Sequence, residues 1–160
     1  MSQTLELLKQ AIQAEVRSEL FYTKAADQTE DDEARMVFIE LAGIEDGHAR
    51  HLVERFSQGA TATDVDLHAF LRESEAAGES LLTVEETPLL TEGNMEEVLN
   101  FAIAQELKAR DNYQQLLHRL SDSEEQKLCQ ALITEEQNHA NRLEQLINSL
   151  EMDEDERPAM

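Results

Sequence analysis

Two short stretches, Glu45-Asp46-Gly47-His48 and Glu136-Gln137-Asn138-His139, each contain a glutamate followed three residues later by a histidine. On an α-helix this spacing places the carboxylate and the imidazole on one face, one turn apart. A further glutamate lies thirty residues upstream of each stretch, at Glu15 and at Glu106. Four glutamates and two histidines in this arrangement are what a two-metal site in a helical bundle requires.

The sequence around these stretches predicts four long helices. Apolar residues recur with a period near 3.6 over four segments. The polar stretch 27–32 separates the first two helices, with Thr29 as a candidate N-cap. Asn94 with Glu97 indicates the start of the third helix, and the capping signature Ser121-Asp122-Ser123-Glu124 indicates the start of the fourth.

Residues 57–93 form a connector of 37 residues between the second and third helices. We predict a short amphipathic helix within it, capped by Thr63 or Asp64 and ended by Gly78, and then an extended stretch over 81–90 that contains Pro88. A connector of this length can return along a helix of about 25 residues, roughly 38 Å. It therefore favours a bundle with one long crossover.

The two halves of the chain are related by a shift of 91 residues without a gap, which indicates an internal duplication of a helical hairpin. We predict an all-α four-helix bundle forming a single domain over residues 1–150, followed by an acidic C-terminal tail over 151–160. Its parts are a hairpin at 2–56, a crossover at 57–93 and a hairpin at 94–150. The shift pairs Glu15 with Glu106, Tyr22 with Tyr113, Glu45 with Glu136, and His48 with His139.

The composition excludes several classes of protein. Acidic residues outnumber basic ones by 35 to 13, giving a net charge of −22, and such a surface repels nucleic acid and anionic membranes. Cys129 is the only cysteine, so the chain cannot form an internal disulfide or a rubredoxin-like iron site. The N-terminal segment has no signal-peptide pattern and no stretch is apolar enough to span a membrane. We expect a cytoplasmic location.

A metal pair explains why glutamates occur within the apolar stripes of all four helices. Packing these stripes together buries four carboxylates, which costs many kcal/mol unless they protonate or acquire cations. The same stripes carry no lysine or arginine at these levels. Two divalent cations offset the four charges, and two imidazoles complete the ligand set; the donors suit iron and do not exclude manganese.

The segments Ala14 to Tyr22 and Leu41 to His48 resemble helices A and B of the rubrerythrin branch of the ferritin-like superfamily. Ala104 to Tyr113 and Glu135 to His139 resemble helices C and D. The resemblance implies a di-iron carboxylate site in a ferritin-like bundle. Tyr22 and Tyr113 lie two turns from Glu15 and Glu106 on the same helix faces, so we expect that they can hydrogen-bond the ligands. The resemblance also implies terminal carboxylates from Glu15 and Glu106, bridging carboxylates from Glu45 and Glu136, and one imidazole for each iron from His48 and His139.

The chain departs from the peroxidase rubrerythrins in two features. Those proteins carry an additional carboxylate three residues after the position of Glu106, where this chain has Ala109, and Ser18 occupies the matching place on the first helix. With Cys129 as its one cysteine, the given sequence is also expected not to supply the rubredoxin-like iron site that delivers their electrons. We therefore expect re-reduction of a ferric pair to need an external electron donor.

These features together predict an oxidoreductase that oxidises Fe2+ with hydrogen peroxide or O2, of a ferroxidase or peroxidase type. A homo-oligomer is expected, with a dimer favoured. Two alternatives stay open, namely a di-iron oxygenase acting on an organic substrate and an iron storage or delivery protein. The first requires an apolar channel to the metals, and the second requires a large assembly with an acidic interior.

Overall fold

The structure, a computed structural model, describes residues 2–152, so most of the predicted acidic tail lies outside the described residues. The described residues form six α-helices, a short 3-10 turn at Gly78–Leu81 and no β-strand, which confirms the all-α prediction. None of these helices is both long and apolar enough to cross a membrane. The helices are α1 (Gln3–Gln28), α2 (Asp32–Gln58), α3 (Leu67–Ala77), α4 (Glu86–Glu92), α5 (Met95–Arg119) and α6 (Ser123–Leu150).

The four long helices form two hairpins, α1 with α2 and α5 with α6, each closed by a three-residue turn. Asn94 and Glu97 form the predicted capping box at the start of α5, and Asp122 caps α6 by accepting from two backbone N–H groups. The prediction of Thr29 as the N-cap of α2 is wrong. Asp31 caps α2, while the hydroxyl of Thr29 accepts a hydrogen bond from the backbone N–H of Asp31.

The crossover contains two short helices. Asp66 caps α3, so the prediction of Thr63 or Asp64 as its cap is wrong. The stretch 81–90 is not extended, because the 3-10 turn and α4 occupy most of it. Thr83 and Glu86 exchange side-chain to backbone hydrogen bonds, which stabilises the start of α4. Pro88 is the third residue of α4, within the first turn, where its missing N–H costs little.

The crossover runs along α1. Helix α3 packs against α1 and α2, and α4 packs against α1 and α5. The chain therefore enters the second hairpin at the end opposite to the one where it left the first. This path brings α1 next to α5 and α2 next to α6, and so places the two duplicated halves face to face.

The apolar core is divided into two clusters at the two ends of the bundle. One cluster includes Leu8, Ile12, Phe56 and Leu67, and the other includes Phe21, Phe38, Leu99 and Leu143. A layer of buried charged residues from all four long helices lies between the clusters. The fold thus surrounds a polar centre with apolar packing on both sides.

Candidate metal centre

The structure brings together all six side chains singled out by the sequence pattern. Helices α1 and α5 each contribute one glutamate, and α2 and α6 each contribute a glutamate and a histidine one turn apart. None of the six is more than 7% exposed. They are Glu15, Glu45, His48, Glu106, Glu136 and His139.

Their donor atoms form two groups that share two residues. The first group is Glu15, Glu45, His48 and Glu136, and the second is Glu45, Glu106, Glu136 and His139. Within each group, one donor atom from every residue lies within 4.8 Å of the others. Glu45 and Glu136 belong to both groups.

The two histidines occupy equivalent positions across the bundle. Nδ1 of His48 lies 3.1 Å from Oε1 of Glu136 and 3.5 Å from Oε2 of Glu15. Nδ1 of His139 lies 3.2 Å from Oε1 of Glu45 and 3.5 Å from Oε2 of Glu106. The two rings are nearly parallel, with 5.7 Å between their centroids. These paired distances show that the duplication in sequence is a pseudo-twofold relation in space.

The two tyrosines bond to glutamates on the opposite helix. The hydroxyl of Tyr22 on α1 donates to Oε1 of Glu106 on α5, at 2.6 Å. The hydroxyl of Tyr113 on α5 donates to Oε1 of Glu15 on α1, at 2.5 Å. A tyrosine seven residues along the same helix would be about 10 Å away along the axis, so only the crossed pairing brings hydroxyl and carboxylate into contact. Each hydroxyl fixes one carboxylate oxygen and leaves the other directed towards the centre.

Every member of the six has at least one buried polar atom without a hydrogen-bond partner. Such atoms are rare in folded proteins because each costs free energy unless a ligand satisfies it. No lysine or arginine among residues 2–152 forms an ion pair with any of the four glutamates. Divalent cations bound by oxygen and imidazole ligands would satisfy the whole set, so the residues fit a metal pair. The unpartnered atoms are Glu15 Oε2, Glu45 Oε1, His48 Nδ1 and Nε2, Glu106 Oε2, both oxygens of Glu136, and His139 Nδ1.

Three side chains of the centre have raised pKa values and so favour their protonated forms. Burial, and next the charge of Glu15, raise the pKa of Glu45 well above its ordinary value, and the same two causes raise the pKa of Glu136. Burial lowers the pKa of His48, but contacts with Glu136 and Glu15 outweigh this effect and raise the pKa to about 11. A metal ion bound at this centre would therefore displace protons.

Comparison with known proteins also supports a metal site at this centre. The family model described as Rubrerythrin matches residues 6–147. The chain belongs to the rubrerythrin family. No significant match was found among curated proteins or among solved structures. Rubrerythrin membership and the two carboxylate and histidine groups together fit a di-iron site.

A cavity of about 230 Å³ reaches the centre of this rubrerythrin-family protein between α1 and α5. All four glutamates of the centre contribute to its wall, and so do Ser18 and Ala109, the two positions without the additional carboxylate. The small side chains at these positions leave space beside the centre. The other lining residues are mostly polar: Gln10, Gln13, Ala14, Arg17, Gln105, Lys108 and Asn112.

Three residues near the centre have contacts that sequence reasoning did not foresee. Nε of Arg17, at the cavity wall, lies 3.6 Å from Oε1 of Glu86, a buried residue of α4. Oε2 of Glu135 lies 3.4 Å from Nε2 of His48. The Thr83-Val84-Glu85-Glu86 capping pattern could have indicated α4, but no local pattern indicates contacts between helices this far apart in sequence.

Proposed function

We propose that this protein binds two iron ions at the centre and uses them to reduce hydrogen peroxide or O2, as a ferroxidase or peroxidase-type oxidoreductase. The observation that carries the proposal is the set of buried, unpartnered donor atoms arranged in two groups with two shared carboxylates. When bound, an iron pair supplies the electrons: two Fe2+, one H2O2 and two protons give two Fe3+ and two water molecules.

In this proposal Glu15 and Glu106 each hold one metal, while Glu45 and Glu136 contact both. His48 and His139 each provide one imidazole through Nδ1, the nitrogen that faces the carboxylates. Tyr22 and Tyr113 orient the two terminal carboxylates by hydrogen bonding to one oxygen of each. Two apolar clusters limit access of water from both ends of the bundle.

The cavity supports a small, polar oxidant as the substrate. Its volume of about 230 Å³ is below the range of roughly 300–1,000 Å³ that is usual for pockets holding larger organic ligands. Amide and basic side chains line much of its wall, whereas an oxygenase acting on an organic substrate would need an apolar channel. Hydrogen peroxide fits both the size and the polar lining, while the apolar O2 fits the size alone.

The test is anaerobic titration of the metal-free protein with Fe2+, followed by mixing with H2O2 or O2 in separate experiments. We expect saturation at two Fe2+ per chain and consumption of one H2O2 for every two Fe2+ oxidised. Glu136→Gln should abolish saturation at two, while Glu144→Gln, which removes an exposed charge from the same helix, should leave it unchanged. Absence of Fe2+ binding would contradict the proposal, and uptake of many iron ions per chain would favour storage.

The same titration with Mn2+ addresses the choice of metal. Oxygen and imidazole donors accept both ions, so binding of Mn2+ alone does not distinguish them. We propose iron because the chain belongs to the rubrerythrin family and its carboxylate and histidine groups fit a di-iron site. A protein that reacts with peroxide only when loaded with Mn2+ would contradict the choice of iron.

A further inference from the structure

The pseudo-twofold relation between the hairpins is broken beside the candidate metal centre. Glu135 on α6 contacts the outer nitrogen of His48, with 3.4 Å between Oε2 and Nε2. A shift of 91 residues relates Glu135 to Ile44 on α2, which has no carboxylate. Accordingly, the carboxylate contacts of His139 within the described residues all involve its Nδ1 atom.

The outer nitrogen of His48, Nε2, is a buried polar atom that lacks a hydrogen-bond partner. Glu135 provides the one carboxylate in contact with it among residues 2–152. Nδ1 of the same ring faces Glu136 and Glu15 and is committed to the centre. The Glu135 side chain is 49% exposed, so it can adjust its position at little cost. A small movement would convert the 3.4 Å contact into a hydrogen bond.

We propose that Glu135 is a positioning residue for His48 and that it makes the two metal positions unequal. A carboxylate that accepts a hydrogen bond from Nε2 keeps the proton on that nitrogen and leaves the Nδ1 lone pair free to bind metal. It also strengthens the imidazole as a donor. The position with Glu15 and His48 therefore binds the first metal ion more tightly than the position with Glu106 and His139. This inference rests on the proposed function, since it assumes that a metal pair binds.

The experiment is a titration of the metal-free protein with Co2+, monitored by visible absorption and by calorimetry. We expect two unequal binding steps for the unaltered protein. Glu135→Ala should weaken the tighter step by about 10- to 100-fold and change the weaker step by less than about twofold. Glu135→Gln retains a hydrogen-bond acceptor without the charge. The affinity of its tighter step should therefore lie between those of the unaltered protein and Glu135→Ala. Glu144→Ala, on the exposed face of α6, is the matched control and should leave both steps unchanged.

The reciprocal variant is Ile44→Glu, which adds the missing carboxylate at the related position. We expect it to strengthen the weaker step and bring the two steps closer together. A second readout is the 15N chemical shift of His48 Nε2 in the protein loaded with diamagnetic Zn2+, where Nδ1 would hold the metal and Nε2 alone would carry the proton. Loss of the hydrogen bond to Glu135 should change this shift in Glu135→Ala but not in Glu144→Ala.

Two outcomes would overturn the inference: both steps unchanged in Glu135→Ala, or both weakened by the same factor. The second outcome would indicate a general loss of negative charge. Failure of the unaltered protein to bind Co2+, Fe2+ or Mn2+ would instead contradict the proposed function. Circular dichroism and thermal unfolding of the metal-free variants test the fold separately. Because Glu135 is half exposed, we expect both to match the unaltered protein.

Discussion

Glu136 combines the deepest burial of the four carboxylates with a place in both metal groups. Burial raises the pKa of Glu136 to about 10, so at pH 8 this carboxyl is ionised in the unfolded chain and must take up a proton on folding, a cost that glutamine does not have. We predict that Glu136→Gln raises the free energy of unfolding of the metal-free protein by about 1–3 kcal/mol at pH 8. The same variant should lose binding of both metals. Denaturant unfolding and Co2+ titration measure the two effects, and a less stable metal-free variant would contradict the prediction.

The crossed tyrosines permit a second prediction at single residues. Tyr22→Phe removes the hydroxyl that holds Glu106, and Tyr113→Phe removes the one that holds Glu15. Each variant should weaken one metal position by about 10- to 100-fold, because a ligand that loses its orienting partner binds less well. Co2+ titration of the two variants should show the effect at opposite positions. Equal weakening of both positions by one variant would contradict the crossed pairing.

At the scale of elements, Glu86 connects the crossover to the bundle. Its carboxylate accepts a hydrogen bond from the backbone N–H of Thr83 and lies 3.6 Å from Nε of Arg17. Nη2 of the same arginine donates a hydrogen bond to Oε1 of Gln105 on α5. We predict that Glu86→Ala costs about 1–3 kcal/mol of stability, since it removes a buried carboxylate together with its contacts to the Thr83 backbone N–H and to Arg17. Glu85→Ala is the control because Glu85 is exposed and adjacent. Thermal unfolding of Glu86→Ala and Glu85→Ala makes the comparison. Equal losses of stability would indicate that the contacts of the Glu86 carboxylate do not stabilise the fold.

The starts of α5 and α4 show which local structure can be predicted from the sequence. The start of α5 could be predicted because Asn94 and Glu97 are three residues apart and satisfy each other locally. Thr83 and Glu86 form a similar local pair, but Pro88 suggested a break, although proline is tolerated in a first turn.

Convergence of the six donor side chains follows from the duplicated pattern, since each lies on the apolar face that must be buried. The crossed tyrosine bonds and the contact of Glu135 with His48 depend on which helices are neighbours, here α1 with α5 and α2 with α6. The spacing of residues along one helix does not contain that information. The candidate metal ligands could therefore be proposed from sequence, whereas the groups placed to orient them could not.

At the scale of the whole molecule, the metal centre and the stability of the fold are linked through protons. Glu45, Glu136 and His48 all have pKa values raised in the folded, metal-free protein. A group of this kind contributes stability that is complete below its ordinary pKa and is lost as the pH rises through its folded pKa. Glu106 has a lowered pKa and acts in the opposite direction, but its contribution is lost only as the pH falls below its ordinary value of 4.5.

We therefore predict that the metal-free protein becomes less stable between pH 6.5, the ordinary pKa of histidine, and pH 9, because the folded His48 retains its proton up to about pH 11. Bound metal replaces these protons and also stabilises the folded state by mass action, so the metal-loaded protein should lose little stability over the same range. Thermal unfolding of both forms at half-unit pH steps measures the difference. Glu136→Gln should reduce the slope of the metal-free protein, since one of the carboxyl groups that bind protons is gone. A metal-free protein whose stability rises from pH 6.5 to 9 would mean that the buried carboxylates are already ionised without metal.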